Sequence, residues 1–242
     1  MRVAVVSDIH ANYHALAAVL ADIAVEEPDE LWCLGDTVGY GPAPNRCCAE
    51  IASRAALCLA GNHDLAVIGA ISIEDFNGDA EAAARWTEHE LDSESRAFLA
   101  SLSPLAHRPG VALFHASPLD PIWDYVLSFE GARLSFEAVP EPLVLVGHSH
   151  VALKLSYDRG LVDGGLAGPA DEIDLASSRW LLNPGSVGQP RGGDPRASWL
   201  LLDLDSGRAS FRRTSYPIEL TQAEIRAAGL PETLAARLEL GQ

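Results

Sequence analysis

Five short apolar runs break off into polar turns, and that recurrence restricts the fold more than any other feature of the chain. Residues 2–6 end in Ser7-Asp8-Ile9-His10, and residues 31–34 end in Gly35-Asp36. Residues 56–60 lead to Gly61-Asn62-His63-Asp64, residues 111–114 to His115-Ala116-Ser117-Pro118, and residues 143–146 to Gly147-His148-Ser149-His150. Apolar runs this short, bounded by turn chemistry, suit buried strands better than helices. Helical patterns lie between them. Asn12 is placed to cap a helix carrying Leu16, Val19, Leu20 and Ile23 and closed before Pro28, with further helices expected over 45–55, 79–90, 94–102 and 129–139. Strands alternating with helices imply βαβ units in a layered α/β domain.

The C-terminal third reads differently. Residues 151–157, 180–182, 199–205 and 208–215 look like strands, the last two joined by a turn at Asp205-Ser206-Gly207. Together they suggest antiparallel strands completing a second sheet. Residues 160–174, rich in Gly, Ala and Asp without a clear period, read as a loop. With no repeat, low-complexity tract or linker, a single domain over 1–242 is expected, with a helical insertion at approximately 70–105.

Composition bounds the partners. The 242 residues include 34 acidic and 17 basic side chains, a formal charge of −17. Such a balance opposes generic nucleic-acid binding or adhesion to an anionic membrane, and it welcomes cations. Two divalent ions would add four positive charges and bring −17 to −13. Cys33, Cys47, Cys48 and Cys58 form no CxxC pair and read as reduced, mostly buried thiols. Met1-Arg2 runs directly into the first patterned segment, and nothing approaches ~18 uninterrupted apolar residues. A cytoplasmic protein without a membrane span is therefore expected, with homo-oligomerisation left open.

The turns carry the chemistry. Of eight histidines, five (His10, His63, His115, His148 and His150) fall just past an expected strand, beside Asp8, Asp36 and Asn62. In layered α/β folds the ligand crevice lies beyond the carboxyl ends of the strands. Five separate turns would thus aim nitrogen and oxygen donors at one place. Imidazole, carboxylate and amide without thiolate suits manganese, iron, zinc, cobalt or nickel rather than a structural Cys-zinc site. The donors exceed what one tetrahedral ion takes, whereas two divalent ions sharing a carboxylate would use them, as in-line hydrolysis of a phosphoester requires.

At these residues the chain resembles the calcineurin-like metallophosphoesterase superfamily, especially its small single-domain prokaryotic phosphodiesterase branch. The Asn183-Pro184-Gly185-Ser186-Val187-Gly188 turn also looks like that branch. The resemblance implies a four-layer αββα sandwich of two mixed sheets flanked by helices. It implies one metal on Asp8, His10 and His150, a second on Asn62, His115 and His148, and Asp36 bridging through its two carboxylate oxygens. His63 would stabilise the transition state or protonate the leaving oxygen, and Asp64 would orient His63 by accepting a hydrogen bond. Other branches carry Asp-Arg-Gly after their second block. Here Asp36 is followed by Thr37-Val38-Gly39-Tyr40-Gly41, which makes nucleoside polyphosphates and phosphoproteins less suitable substrates.

Several residues carry weaker signals. Arg191 is a candidate for a substrate phosphate, with a surface pairing to Asp194 as its ordinary alternative. Trp123 and Tyr125 suit either base stacking or core packing. Residues 73–77 suit a lid over the site or an ordinary surface segment. Gly39-Tyr40-Gly41 reads as a turn, and His14, His89 and His107 as solvated or capping residues. The expected function is a binuclear metal-dependent phosphodiesterase acting on a small phosphoester through a metal-bridging hydroxide. A phosphomonoesterase on the same residues, or a metal-binding interaction scaffold, is the alternative.

Overall fold

The first apolar run shows why the chain forms layers. In β1 (Arg2–Val6), Val3 and Val5 turn to one face and Ala4 and Val6 to the other, and all four are fully buried. A strand apolar on both faces must be covered on both. The computed structural model, which describes residues 1–242, supplies a sheet on one side and helices on the other.

After β1 come α1 (Tyr13–Glu26), β2 (Glu30–Cys33), α2 (Pro44–Arg54), β3 (Leu57–Cys58) and α3 (Asn62–Val67). A 3-10 turn at Ile73–Asp75 leads into α4 (Gly78–Glu90) and α5 (Ser93–Ala100). Next are β4 (Leu105–Arg108), β5 (Val111–Phe114), α6 (Phe129–Ala138), β6 (Leu143–Leu145) and β7 (Ala152–Asp158). The chain continues through β8 (Leu161–Leu166), β9 (Glu172–Asp174), β10 (Arg179–Pro184), β11 (Ala197–Asp203) and β12 (Arg208–Thr214), and closes with α7 (Ile218–Ala227) and α8 (Glu232–Leu240).

Two six-stranded mixed sheets result, ordered β3-β2-β1-β11-β12-β9 and β4-β5-β6-β10-β7-β8. The parallel pairs are β1 with β2, β2 with β3, β5 with β6 and β6 with β10. The central core lies between the sheets. Val3, Val5, Trp32 and Leu34 from the first meet Val111, Leu113, Leu145 and Leu182 from the second. Outside the first sheet, Ala4 and Val6 pack on Leu16, Val19 and Ile23 of α1 and Ile51 of α2. Outside the second, Ala112, Phe114 and Leu181 pack on Ala132 and Phe136 of α6. This is the expected αββα sandwich. Each such Val, Leu or Phe removed from water contributes ~1.5–3 kcal/mol.

Helix α1 begins where its cap dictates. The Asn12 side chain accepts from the Ala15 N–H at 3.1 Å, and the helix closes at Glu27, in the left-handed region just before Pro28. The pair α4 and α5 lies within residues 70–105. Its Ala83 shares a cluster with Ile225, Leu234 and Leu238 of α7 and α8, so it is anchored to the C-terminal helices. No helix is long and apolar enough to cross a membrane.

Three expectations need correction. Residues 160–174 are not a loop: they contain β8, which pairs with β7, and β9, which pairs with β12. Both are edge strands held through backbone bonds with most side chains in solvent, so they leave no apolar alternation to read. The C-terminal strands do not complete one sheet but divide, with β9, β11 and β12 joining the first and β7, β8 and β10 the second. The run at 56–60 narrows to Leu57–Cys58.

Candidate metal centre

Every turn singled out in the sequence opens at the same end of the sandwich, stitched there by backbone bonds. The Asp8 N–H donates to Gly35 O at 3.0 Å and the His10 N–H to Asp36 O at 2.9 Å, which joins the turns after β1 and β2. On the other side, Gly188 N–H donates to Asp8 O at 3.0 Å, and Ser186 Oγ to the same carbonyl at 2.7 Å. Asn183 Nδ2 donates to Gly147 O at 2.7 Å and to Ser149 Oγ at 3.0 Å, clamping the turn that carries His148 and His150.

This stitching holds unfavourable backbone. Ten non-glycine residues have positive φ, and Asp8, His10, Asp36, His148 and His150 are five of them. Left-handed backbone at such residues costs on the order of 1–3 kcal/mol each and gathers where function requires it. Gly61 is needed for a different reason. A Cβ there would lie 2.0 Å from Asp36 Oδ1.

The side chains converge on two overlapping groups. Asp8, His10, Asp36 and His150 each place a donor atom within 4.8 Å of the others, and Asp36, His115 and His148 do the same. Asp36 belongs to both. Asn62 joins the second group, its Oδ1 3.2 Å from His115 Nε2. All are buried.

The hydrogen bonds fix what these groups offer. His10 Nδ1 lies 3.1 Å from Val38 O, His115 Nδ1 2.8 Å from Leu34 O, and His150 Nδ1 2.8 Å from Gln189 O. A carbonyl only accepts, so in each ring Nδ1 carries the proton. The Nε2 lone pairs are left pointing inward. Those of His10 and His150 face each other at 2.9 Å, with no proton available between neutral rings. His150 Nε2 lies 3.4 Å from Asp8 Oδ1, and His10 Nε2 and His115 Nε2 each lie 3.6 Å from Asp36 Oδ2. Asp8 Oδ1, Asp36 Oδ2 and His148 Nε2 have no hydrogen-bond partner.

Burial keeps His10, His148 and His150 neutral. It lowers His148 to about 2 and holds His10 and His150 well below the usual histidine range, while it raises Asp8 to about 7 and Asp36 well above the carboxylate range. Acceptors packed against acceptors, which burial would otherwise force to take up protons, are complementary to cations. Ligands ~2.0–2.2 Å from one ion lie roughly 3 Å apart, which these spacings approach. The residues therefore fit divalent metal ions.

One detail departs from expectation. Asp36 does not offer two free oxygens, because Oδ1 accepts from the His63 N–H at 2.9 Å; Oδ2 alone faces both groups.

His63 stands beside the cluster, its ring 4.9 Å from that of His10, with Nδ1 unpartnered. Burial, with neighbouring His115 and Arg191, lowers it to about 3. Asp64 does not orient it. The Asp64 carboxylate accepts instead from the N–H groups of Gly61 at 2.9 Å, Val38 at 3.1 Å and Thr37 at 3.3 Å, locking α3 to the turn after β2. At the third position of that helix a carboxylate is drawn to free backbone N–H groups rather than to a neighbouring ring.

A cavity of about 230 Å³ opens onto the cluster, lined by Asn62, His63, His148, His150, Arg191 and a wall of aromatic rings. Two larger clefts, one beside Trp86 and Glu90 and one beside Cys48 and Phe98, hold no histidine at all, so donor chemistry and not size marks the site. Arg191 does not pair with Asp194, whose carboxylate is engaged by Arg196. Tyr125 stacks on His148 with centroids 4.1 Å apart, and Trp123 lies 5.5 Å from Phe76. Phe76 in turn meets His63 at 4.6 Å, which brings the 73–77 segment to the cavity wall.

Tyr40 was missed. Its ring packs 4.7 Å from His10 and 4.5 Å from His63. The signal was Gly39 before it, at φ +90, where a Cβ would come within 2.4 Å of His63 Nδ1. His14 and His107 stay outside the site, bonded to Glu224 and Glu141.

The calcineurin-like phosphoesterase superfamily domain model matches residues 1–207. An uncharacterised protein of Methanocaldococcus jannaschii is 36% identical over 248 aligned residues, covering 99% of this chain and 98% of that protein. The crystal structure of a metallophosphoesterase from Sphaerobacter thermophilus superposes with a TM-score of 0.92 at 42% identity, covering 100% of this chain and 99% of the other. A hypothetical protein from Pyrococcus horikoshii OT3 shares the fold at a TM-score of 0.83 and 20% identity, with 100% and 98% covered.

Proposed function

The chain belongs to the calcineurin-like phosphoesterase superfamily, and from that membership we propose that it is a phosphodiesterase working with two divalent ions. Asp8, His10 and His150 would hold one ion, and Asn62, His115 and His148 the other, with Asp36 shared. When bound, the ions supply positive charge to the phosphoryl oxygens and acidify a water for in-line attack. Neutral imidazole and carboxylate donors suit manganese, iron, zinc, cobalt or nickel.

The protein's own groups do the rest. The carbonyls of Val38, Leu34 and Gln189 hold three ligand rings in the tautomer that presents Nε2. His63, whose ring lines the cavity, donates a hydrogen bond to a phosphoryl oxygen or to the departing oxygen. Arg191, on the cavity wall and two residues beyond Gln189, whose carbonyl fixes His150, presents a cation to an anionic substrate. The aromatic wall of Tyr40, Phe76, Trp123 and Tyr125 leaves room for an ester substituent, which favours a diester over a monoester. Free thiols at all four cysteines suit a reducing cytoplasm.

The observation that carries this reading is Asp36 Oδ2, buried, unpartnered, and 3.6 Å from a histidine nitrogen in each group. Chelation should abolish hydrolysis of bis(p-nitrophenyl) phosphate, and Mn²⁺ or a similar ion should restore it, at a rate exceeding that on p-nitrophenyl phosphate. Faster turnover of the monoester would make the protein a phosphomonoesterase. Hydrolysis that survives complete metal removal would overturn the proposal.

A further inference from the structure

The matched family domain ends at residue 207, yet a side chain from the last helix packs against two residues at the edge of the site, Gln189 and Tyr40. Arg237 of α8 donates to Gln189 Oε1 at 3.2 Å, and Arg191 donates to the same oxygen at 3.2 Å. The Arg237 guanidinium also sits 5.6 Å from the centre of the Tyr40 ring, which packs on His10 and His63. Neither arginine bonds a carboxylate. Asp79, an acid whose charge Arg237 feels, is taken up by the Thr233 hydroxyl.

The frame behind the pair is firm. Leu234, Ala235 and Leu238 bury α8 against Ala83 and Ile225, and Gln222 Nε2 donates to Ala235 O at 3.0 Å. The loop that carries Arg191 is tied to the same helix end, with Gly193 N–H donating to Gly241 O at 3.0 Å. Two guanidiniums held close on one neutral amide repel each other unless an anion lies between them. Their planar forks match the oxygens of a phosphate group.

We propose that Arg237 and Arg191 form a second anion subsite beside the metal cluster, so that the preferred substrate is a phosphodiester carrying a further phosphate group. The proposal rests on the phosphodiesterase reading and narrows its substrate class. It also gives α7 and α8 a function: they deliver a cation to a site otherwise built from strand ends.

Two p-nitrophenyl phosphodiesters that differ only at the far end of the second alcohol, one ending in methyl and the other in phosphonate, read the subsite. Metal-loaded wild-type protein should show kcat/KM roughly 10-fold or more higher for the phosphonate ester. Arg237→Gln should remove most of that preference, Arg237→Lys should retain part of it, and Arg191→Gln should reduce it from the other side. Propane-1,3-bisphosphonate, titrated calorimetrically, should bind Arg237→Gln roughly 10-fold more weakly than wild type, a measurement that needs no turnover. An absent wild-type preference, or bisphosphonate affinity equal in both proteins, overturns the subsite. If neither ester is hydrolysed while bisphosphonate binding still depends on Arg237, the subsite stands and the phosphodiesterase reading falls.

Discussion

Asp36 and His63 divide their work through one backbone bond. The His63 N–H occupies Asp36 Oδ1, so the carboxylate common to both donor groups is oriented by a residue whose ring lines the cavity. The bond uses backbone and survives loss of the ring. His63→Ala should therefore fold, keep nearly normal metal content, and lose roughly 10²–10⁴-fold in rate, the range for a positioned proton or hydrogen-bond donor. Comparing aryl with alkyl diesters locates the donor. A loss that shrinks for the good aryl leaving group places His63 on the departing oxygen, and an equal loss places it on a phosphoryl oxygen. Loss of a metal ion in His63→Ala would show instead that the ring is a ligand. Asp64, adjacent in sequence, was legible as a carboxylate near the site but not in its role. Its three bonds go to backbone N–H groups of two turns, which only the fold brings together.

At the scale of elements, Asn12 shows how a cap becomes a joint. Its Oδ1 accepts from Ala15 N–H and the Thr221 hydroxyl, and its Nδ2 donates to Gly188 O at 2.9 Å and reaches the Tyr216 hydroxyl at 3.3 Å. Asn12→Ala removes a helix cap and strands buried partners, so it should cost ~1–3 kcal/mol, read as a lower denaturant midpoint. It should also loosen metal binding, because Gly188 N–H holds the Asp8 carbonyl. An unchanged midpoint would show that α7 is not joined to α1 through this residue. Strands β1, β2, β3, β5 and β6 were readable because their side chains are buried or nearly so on both faces, leaving continuous apolar runs. Strands β4 and β8 were not, since their side chains are largely exposed and their neighbours are recruited by backbone bonds. Helix α7 escaped notice for a related reason: its buried residues are Thr221, Gln222 and Ile225, two polar and one apolar, which makes no stripe. The buried Asp and His cluster was legible because each member follows an apolar run. Tyr40 and Arg237 follow none, and they reach the site only through a glycine turn and a helix packed from the far end of the chain.

For the whole molecule, the sandwich spends its conformational freedom at one end. Two sheets and their flanking helices hold turns whose left-handed residues gather carboxylates and imidazoles into a buried cluster. In a chain of net charge −17, burying Asp8 and Asp36 together is unfavourable unless cations accompany them. Folding and metal binding are thereby linked, since an ion that binds only the native site stabilises it by mass action. On the proposed function, Asp36 joins two ion sites rather than completing one. Calorimetric titration of chelated protein with Mn²⁺, followed in parallel by hydrolysis of bis(p-nitrophenyl) phosphate, counts the ions against the rate. Two ions should bind per chain, with full rate only when the second is in place, and Asp36→Asn should lose both stoichiometry and rate. Saturation at one ion per chain with full activity would contradict it.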